Sequence, residues 1–160
     1  MTKPKQIELT QKDLHKLFIY KHGDLYWKNN MGNNRIKAGT LAGHIDSKNR
    51  RIIKYKKRVY KAHRLIWIYV YGYIDNTLYI DHINRKPYDN RIENLRLVTI
   101  QENSFNTDSK GYYYHKDVDK WRAAIFISGK IIHLGYFNTE GEAKYARMIG
   151  EEKYYVIEER

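Results

Sequence analysis

The segment YIDHINRKPYDNRIENLRLVTIQEN, residues 79–103, sets an acid beside an imidazole and follows them with spaced carboxamides. Asp81 and His82 are adjacent, and Asn94 and Asn103 stand 13 and 22 residues beyond Asp81. Hydrolysis of a phosphodiester needs a water activated as nucleophile, a cation to stabilise the charge that builds on the phosphorane and leaving oxygen, and a group that holds the base in its useful tautomer. Histidine is the side chain suited to proton transfer near neutral pH, so His82 can take a proton from water. Asp81 is a hard oxygen donor suited to magnesium or manganese. In a strand, neighbouring side chains face opposite ways, so the two converge on one spot only if the strand bends or the metal sits to one side. The same residue types concentrate in turns. Read bare, the segment is equally compatible with a strand end and turn that carry a surface histidine.

The flanking sequence predicts the elements that would position these groups. HGDLYWKNN, near residue 22, reads as a short strand and turn, and RRIIKY and RVYKA read as the arms of a hairpin turning at Lys56-Lys57. AHRLIWIYVYG follows as a short apolar helix stopped by Gly72, because glycine after the last periodic position is a common helix terminator. TLYIDHI, a loop and ENLRLVT then lead to a helix starting near Ile100. Thr99 and Glu102 form a capping box there, each satisfying an orphan donor of the first turn, which places Asn103 in that turn or the next. Downstream, WRAAIFIS and KIIHLGYF flank a turn at Ser128-Gly129. A second capping box, Thr139 and Glu142, opens a helix through EAKYARMIGEEKYY. Polar and turn-forming residues cluster in NTDSKG, residues 106–111, the expected linker. The fold class expected is α+β in two domains, residues 1–108 and 109–160.

Charge divides along the same line. The chain of 160 residues has a net charge of +12. Residues 1–108 hold 21 Lys and Arg against 10 Asp and Glu, whereas residues 109–160 hold 9 against 8. KNRRIIKYKKRVYK, Lys48 to Lys61, has eight basic residues and no acidic one. Such a field attracts a polyanion and releases its counterions, which is how phosphate backbones are gripped; an edge strand guarded by lysines would have the same composition. Arg50, Arg51, Lys54, Lys56, Lys57, Arg58, Lys61 and Arg64 are the expected backbone contacts, with Arg91 and Arg96 near enough to the acid–imidazole pair to neutralise a scissile phosphate. Arg96 could instead pack its stem. Duplex DNA is the expected partner, although charge alone does not separate DNA from structured RNA. With no cysteine there is no disulfide and no cysteine-ligated zinc. No apolar run approaches the roughly 20 residues of a membrane span, and MTKPKQIELT lacks the apolar core of a signal peptide, so the expected setting is the cytoplasm.

DHINRKPYDNRIENLRLVTIQEN resembles the HNH endonuclease motif from end to end, in the form found in phage and intron-encoded homing endonucleases, and AHRLIWIYVYG resembles the lead-in helix of that group. The resemblance implies a ββα-metal fold in which two strands joined by a loop precede a helix and one divalent cation is bound. Carried over by position, it implies His82 as general base, Asn94 as the residue that orients its imidazole, and Asp81 and Asn103 as metal ligands. Many HNH enzymes end the motif with a metal-binding histidine. Asn103 departs from them, and a carboxylate and a carboxamide without imidazole favour Mg2+, with Mn2+ as a substitute, over zinc. The activity implied is metal-dependent nicking or cleavage of double-stranded DNA, in a phage-infected bacterial cell, by a monomer or a dimer. The competing expectation is a non-catalytic DNA-binding or packaging accessory.

WRAAIFISGKIIHLGYFNTEGEAKYARMI is similar to the ethylene-response-factor type of DNA-binding domain, a three-stranded sheet packed on one helix. That likeness implies a sheet that reads the major groove. Arg122, Lys130 and His133 would face DNA, as could Tyr113 and His115, while Trp121, Ile125, Leu134 and Phe137 would build the core. A sheet that merely supports the nuclease is the competing expectation.

Overall fold

A computed structural model describes residues 7–106 and 109–155. Thr107 and Asp108, in the expected linker, lie outside the described residues. The architecture is α+β, and the chain packs as two compact units, Met1–Leu97 and Val98–Arg160. This division falls before the Thr99-capped helix, whereas the sequence reading sets the boundary after it.

The first unit opens with a helix that the sequence reading does not anticipate, α1 (Gln11–Leu17). Its start is a capping box: the Asp13 N–H donates to Thr10 Oγ1 at 3.2 Å and the Thr10 N–H donates to Asp13 Oδ2 at 3.0 Å. Strands β1 (Phe18–Lys21) and β2 (Asp24–Trp27) form an antiparallel hairpin through His22 and Gly23, both at positive φ. At Gly23 a side chain is excluded twice over, by φ of +87° and by the Arg91 backbone nitrogen, which a Cβ would meet at 2.7 Å. A short β3 (His44–Ile45) joins β4 (Arg51–Tyr55) and β5 (Arg58–Lys61) in a three-stranded antiparallel sheet. The expected turn lies at Lys56 and Lys57, whose φ values of 45° and 63° give the mirror-image turn that matches strand twist.

Helix α2 (Ala62–Tyr71) begins directly after β5 and ends where the Gly72 N–H bonds Ile68 O at 2.8 Å. Its inner face carries Ala62, His63, Leu65, Ile66 and Ile68. Ala62, Leu65, Ile66 and Ile68 meet Leu14, Phe18, Leu25, Trp27, Ala42, Ile53 and Leu95 in one core, where each large apolar side chain contributes about 1.5–3 kcal/mol. Strand β6 (Tyr79–His82), a loop, a 3-10 turn (Ile92–Asn94) and β7 (Leu95–Val98) complete the run, β6 and β7 pairing as a two-stranded sheet.

In the second unit α3 (Ile100–Phe105) starts at the expected capping box, with the Glu102 N–H donating to Thr99 Oγ1 at 3.2 Å. Strands β8 (Tyr112–His115), β9 (Lys120–Ile127) and β10 (Lys130–Phe137) make an antiparallel sheet with β9 central. Helix α4 (Glu140–Tyr154) packs on it from the Thr139 cap onward. Gly150 permits the close approach, since a Cβ there would lie 2.8 Å from Leu134 Cδ1.

Candidate functional site

The loop between β6 and β7 is organised by its own side chains. Asn94 is buried and works as the loop's internal brace. Its Oδ1 accepts the Asn84 N–H at 3.0 Å, and its Nδ2 donates to Asn84 Oδ1 at 3.0 Å and to the Asp89 carbonyl at 2.7 Å. Asp89 accepts from Asn84 Nδ2 at 2.7 Å and receives Arg91 Nε and Nη2, each at 2.8 Å. The Arg91 guanidinium, with Asn84 behind it, holds the Asp89 carboxyl well below the usual carboxylate range. The far end of the loop is fastened to the N-terminal hairpin, because the Ile92 N–H donates to the hydroxyl of Tyr20 on β1 at 3.1 Å.

Asn94, implied as the residue that orients His82, makes these bonds within the loop. The carboxamide that meets the imidazole belongs to Asn90, whose Oδ1 lies 3.0 Å from His82 Nε2. A carbonyl oxygen accepts, so the network assigns the proton to Nε2 and the lone pair to Nδ1. Asn84, Asn90 and Asn94 are the same residue type within one loop, and type alone does not tell brace from clamp. Asn90 is 2% exposed, and its Nδ2 finds no hydrogen-bond partner among the described residues. His82 also meets a second imidazole: the ring of His63, on α2, lies edge-on with centroids 5.1 Å apart and planes at 84°. Burial, then the positive neighbours His82, Lys61, Arg64 and Arg50, push the His63 pKa well below its ordinary value, so its ring stays neutral.

Asp81 is buried and turns to the neighbouring strand, where Arg96 Nε and Nη2 donate to its Oδ2 at 3.1 and 2.9 Å. Arg96, expected at the phosphate, is therefore a partner of the acid. The strand alternation foreseen for this pair holds: Asp81 faces Arg96, and His82 faces Asn90 and His63.

Other arginines of the expected backbone grip are paired with acids as well. Arg50 meets Asp46 at 2.6 Å, Arg51 meets Asp24 at 2.9 Å, and Arg58 meets Glu8 at 2.6 Å. Arg50 holds the half-buried Asp46 carboxyl down to about 2. Lys54, Lys56, Lys57 and Lys61 remain as exposed positive groups. Burial and repulsion from Arg50 and Arg64 lower the Lys61 pKa, so these cations crowd together, and the same set perturbs His63. The positive field therefore reaches the imidazole pair from β5 and the start of α2.

On the second unit Arg122 pairs across the sheet with Tyr113 and Tyr136 and donates Nη1 to the Tyr113 hydroxyl at 2.8 Å. Lys130 and His133 are exposed on β10, and Ile125 is buried as expected. Asn103 lies on α3 in this unit. Among the described residues no group of three or more His, Asp or Glu side chains could hold a metal ion by itself.

The HNH endonuclease family profile matches residues 60–105, from the end of β5 through α2, β6, the loop and β7 to the end of α3. The chain is 34% identical over 85 residues to Protein 3.8 of Escherichia phage T7, a match covering 46% of this chain and 70% of that protein. It is 38% identical over 88 residues to an uncharacterised HNH endonuclease, L560, of Acanthamoeba polyphaga mimivirus, covering 52% of this chain and 46% of that protein. The match thus spans less than half the length of the mimivirus relative. No solved structure matches the chain. The matched residues include the acid on β6, the imidazole beside it and the Asn90 carboxamide that meets that imidazole. Residues 60–105 of the chain are thus similar to HNH endonucleases.

Proposed function

We propose that the protein is a divalent-metal-dependent DNA endonuclease of the homing type, carried by a phage, that nicks double-stranded DNA. The observation that carries this reading is the His82 imidazole, held through Nε2 by the Asn90 carbonyl and set next to Asp81 within the family match. With its proton on Nε2, His82 takes a proton from water at Nδ1 as that water attacks phosphorus and the ester phosphorus–oxygen bond breaks. The Asn90 carbonyl then faces an imidazolium and stabilises its charge.

The donors suit a hard cation. Asp81 is a carboxylate pinned at one oxygen by a guanidinium, and with one acid and no multi-histidine cluster among the described residues, oxygen donors from phosphate and water would complete the coordination. A magnesium or manganese ion held by Asp81 would neutralise charge on the phosphate and leaving oxygen. Asn103 is the second ligand that the family resemblance implies. The lysines of β4 and β5 with Arg64 grip the backbone, and the β8–β10 sheet, likened to ethylene-response-factor domains, lengthens the contact through Arg122, Lys130 and His133. One site per chain makes a monomer a nickase.

Supercoiled plasmid incubated with the protein and magnesium or manganese should yield nicked circles, and none with chelator present. No nicked or linear product across a range of divalent metals would instead mark a non-catalytic DNA-binding accessory. Run-off sequencing of cleaved random DNA reports strand and site, and competition by structured RNA tests the choice of DNA.

A further inference from the structure

The connection between β2 and β3 runs for 16 residues, 28–43, where roughly four to six are usual between elements. Backbone bonds hold it as a ribbon. The Trp27 N–H donates to the Thr40 carbonyl at 2.9 Å, the Gly39 N–H donates to the Trp27 carbonyl at 2.7 Å, and Met31 and Ile36 exchange bonds of 2.9 and 3.1 Å. Asn30 Oδ1 accepts the Ala38 N–H at 2.9 Å, and Met31 packs against the core. The tip turns at Gly32, Asn33 and Asn34, all left-handed with φ of 59°, 54° and 66°, and residues 32–41 are exposed throughout. Glycine adopts that backbone at lower cost, so what the two asparagines add is a pair of exposed carboxamides.

The charge of this ribbon differs from that of the strands around it. Residues 25–45 include Lys28, Arg35 and Lys37 and no acid. Arg50, Arg51, Arg58, Arg91 and Arg96 are each ion-paired with a carboxylate. Among the described residues, no hydrogen bond or ion pair engages the side chains of Asn33, Asn34, Arg35 or Lys37. A basic tip without acids complements a polyanion. Carboxamide and guanidinium are also the groups that pair through two hydrogen bonds with the edges of adenine and guanine, and two strands about 5 Å apart fit a major groove about 12 Å wide. We propose that the tip of this ribbon enters the major groove of duplex DNA and that Asn33, Asn34 and Arg35 read bases there. This inference rests on the reading of DNA as the substrate and adds the place where sequence is recognised, since lysines on phosphates carry no sequence information.

The test selects bound duplexes from a random-sequence library with the full chain in chelator, so that the readout needs no cleavage. The parent chain should enrich a preferred sequence. Arg35→Lys keeps the charge and loses the planar fork; it should lower discrimination about 10-fold at one or two adjacent base pairs and keep the affinity for random duplex. Asn33→Gly and Asn34→Gly preserve the left-handed backbone and should each relax a neighbouring position. An unchanged preference in all three variants overturns the proposal. So does a loss of affinity that is uniform across sequences, which would make the ribbon a phosphate contact only, and so does a parent chain that enriches no duplex or enriches structured RNA instead. If the variants shift the selected bases while the parent nicks no plasmid with magnesium or manganese, the nuclease reading fails and the base-reading tip stands. Nicking by the parent with preferences unchanged in the variants gives the reverse.

Discussion

Arg147 in the second unit is about as buried as Asn90 and His63 in the first, at 6% against 2% and 8% exposed, yet the three are treated differently. Each nitrogen of the Arg147 guanidinium has a partner: Nε donates to Glu151 Oε1 at 2.9 Å, Nη1 to the Ala124 carbonyl at 2.6 Å and Nη2 to the Tyr155 hydroxyl at 2.9 Å. It joins α4 to the middle strand of its sheet. Asn90 leaves its amide nitrogen without a partner among the described residues and uses its oxygen on His82, and the His63 ring addresses the same imidazole. Buried polar groups that are saturated hold structure, while those left incomplete are tolerated where something else is gained. By this contrast the interior of the second unit is a scaffold, and that of the first is arranged around one imidazole.

The contrast breaks most plainly at His82. His82→Ala should lower nicking about 1,000-fold, within the range of general-base removal, and leave plasmid binding in a gel-shift assay almost intact; full activity would remove His82 from the mechanism. Arg147→Leu should cost about 2–3 kcal/mol of stability in urea melts by stranding its acceptors, with the nicking rate unchanged wherever the variant is folded. Asn90→Ala should do the reverse, slowing nicking about 10-fold while shifting the melt by less than about 1 kcal/mol, because half of its amide is unsatisfied already. Asn94→Ala distinguishes brace from clamp, since it removes three bonds of the loop and should appear in stability before rate.

The smallest effect is on pH dependence. His63 is held neutral in the folded chain, so below the ordinary histidine value of about 6.5 the unfolded chain binds a proton that the folded chain refuses. Stability should therefore fall as pH drops from 7 to 5, and His63→Phe should flatten that part of the profile in urea melts across the range.

What the sequence revealed was mostly local. The turns at Lys56-Lys57 and Ser128-Gly129 and the capping boxes at Thr99 and Thr139 stand where expected, because each depends on residues within a few positions of one another. The brief α1 escaped notice although Thr10 and Asp13 cap it in the same manner. The assignments that changed depend on distant partners. Arg51 finds Asp24, and Arg96 finds Asp81, through sheet and core geometry that no spacing rule contains, so arginines that read as phosphate contacts proved to be ion-paired. Asn90 was passed over because three asparagines share the loop, and only the fold decides which of them reaches His82.

The bond from the Ile92 amide to the Tyr20 hydroxyl has a consequence for anyone wishing to transplant the His82 loop. The family profile matches residues 60–105, but Leu14, Phe18, Leu25, Trp27 and Ile53, which lie outside that stretch, supply much of the apolar interior against which α2 rests. A fragment cut at the borders of that match would carry Asp81 and His82 and lose the apolar wall behind α2. A fragment meant to keep this fold therefore begins at the Thr10 cap, well upstream of residue 60.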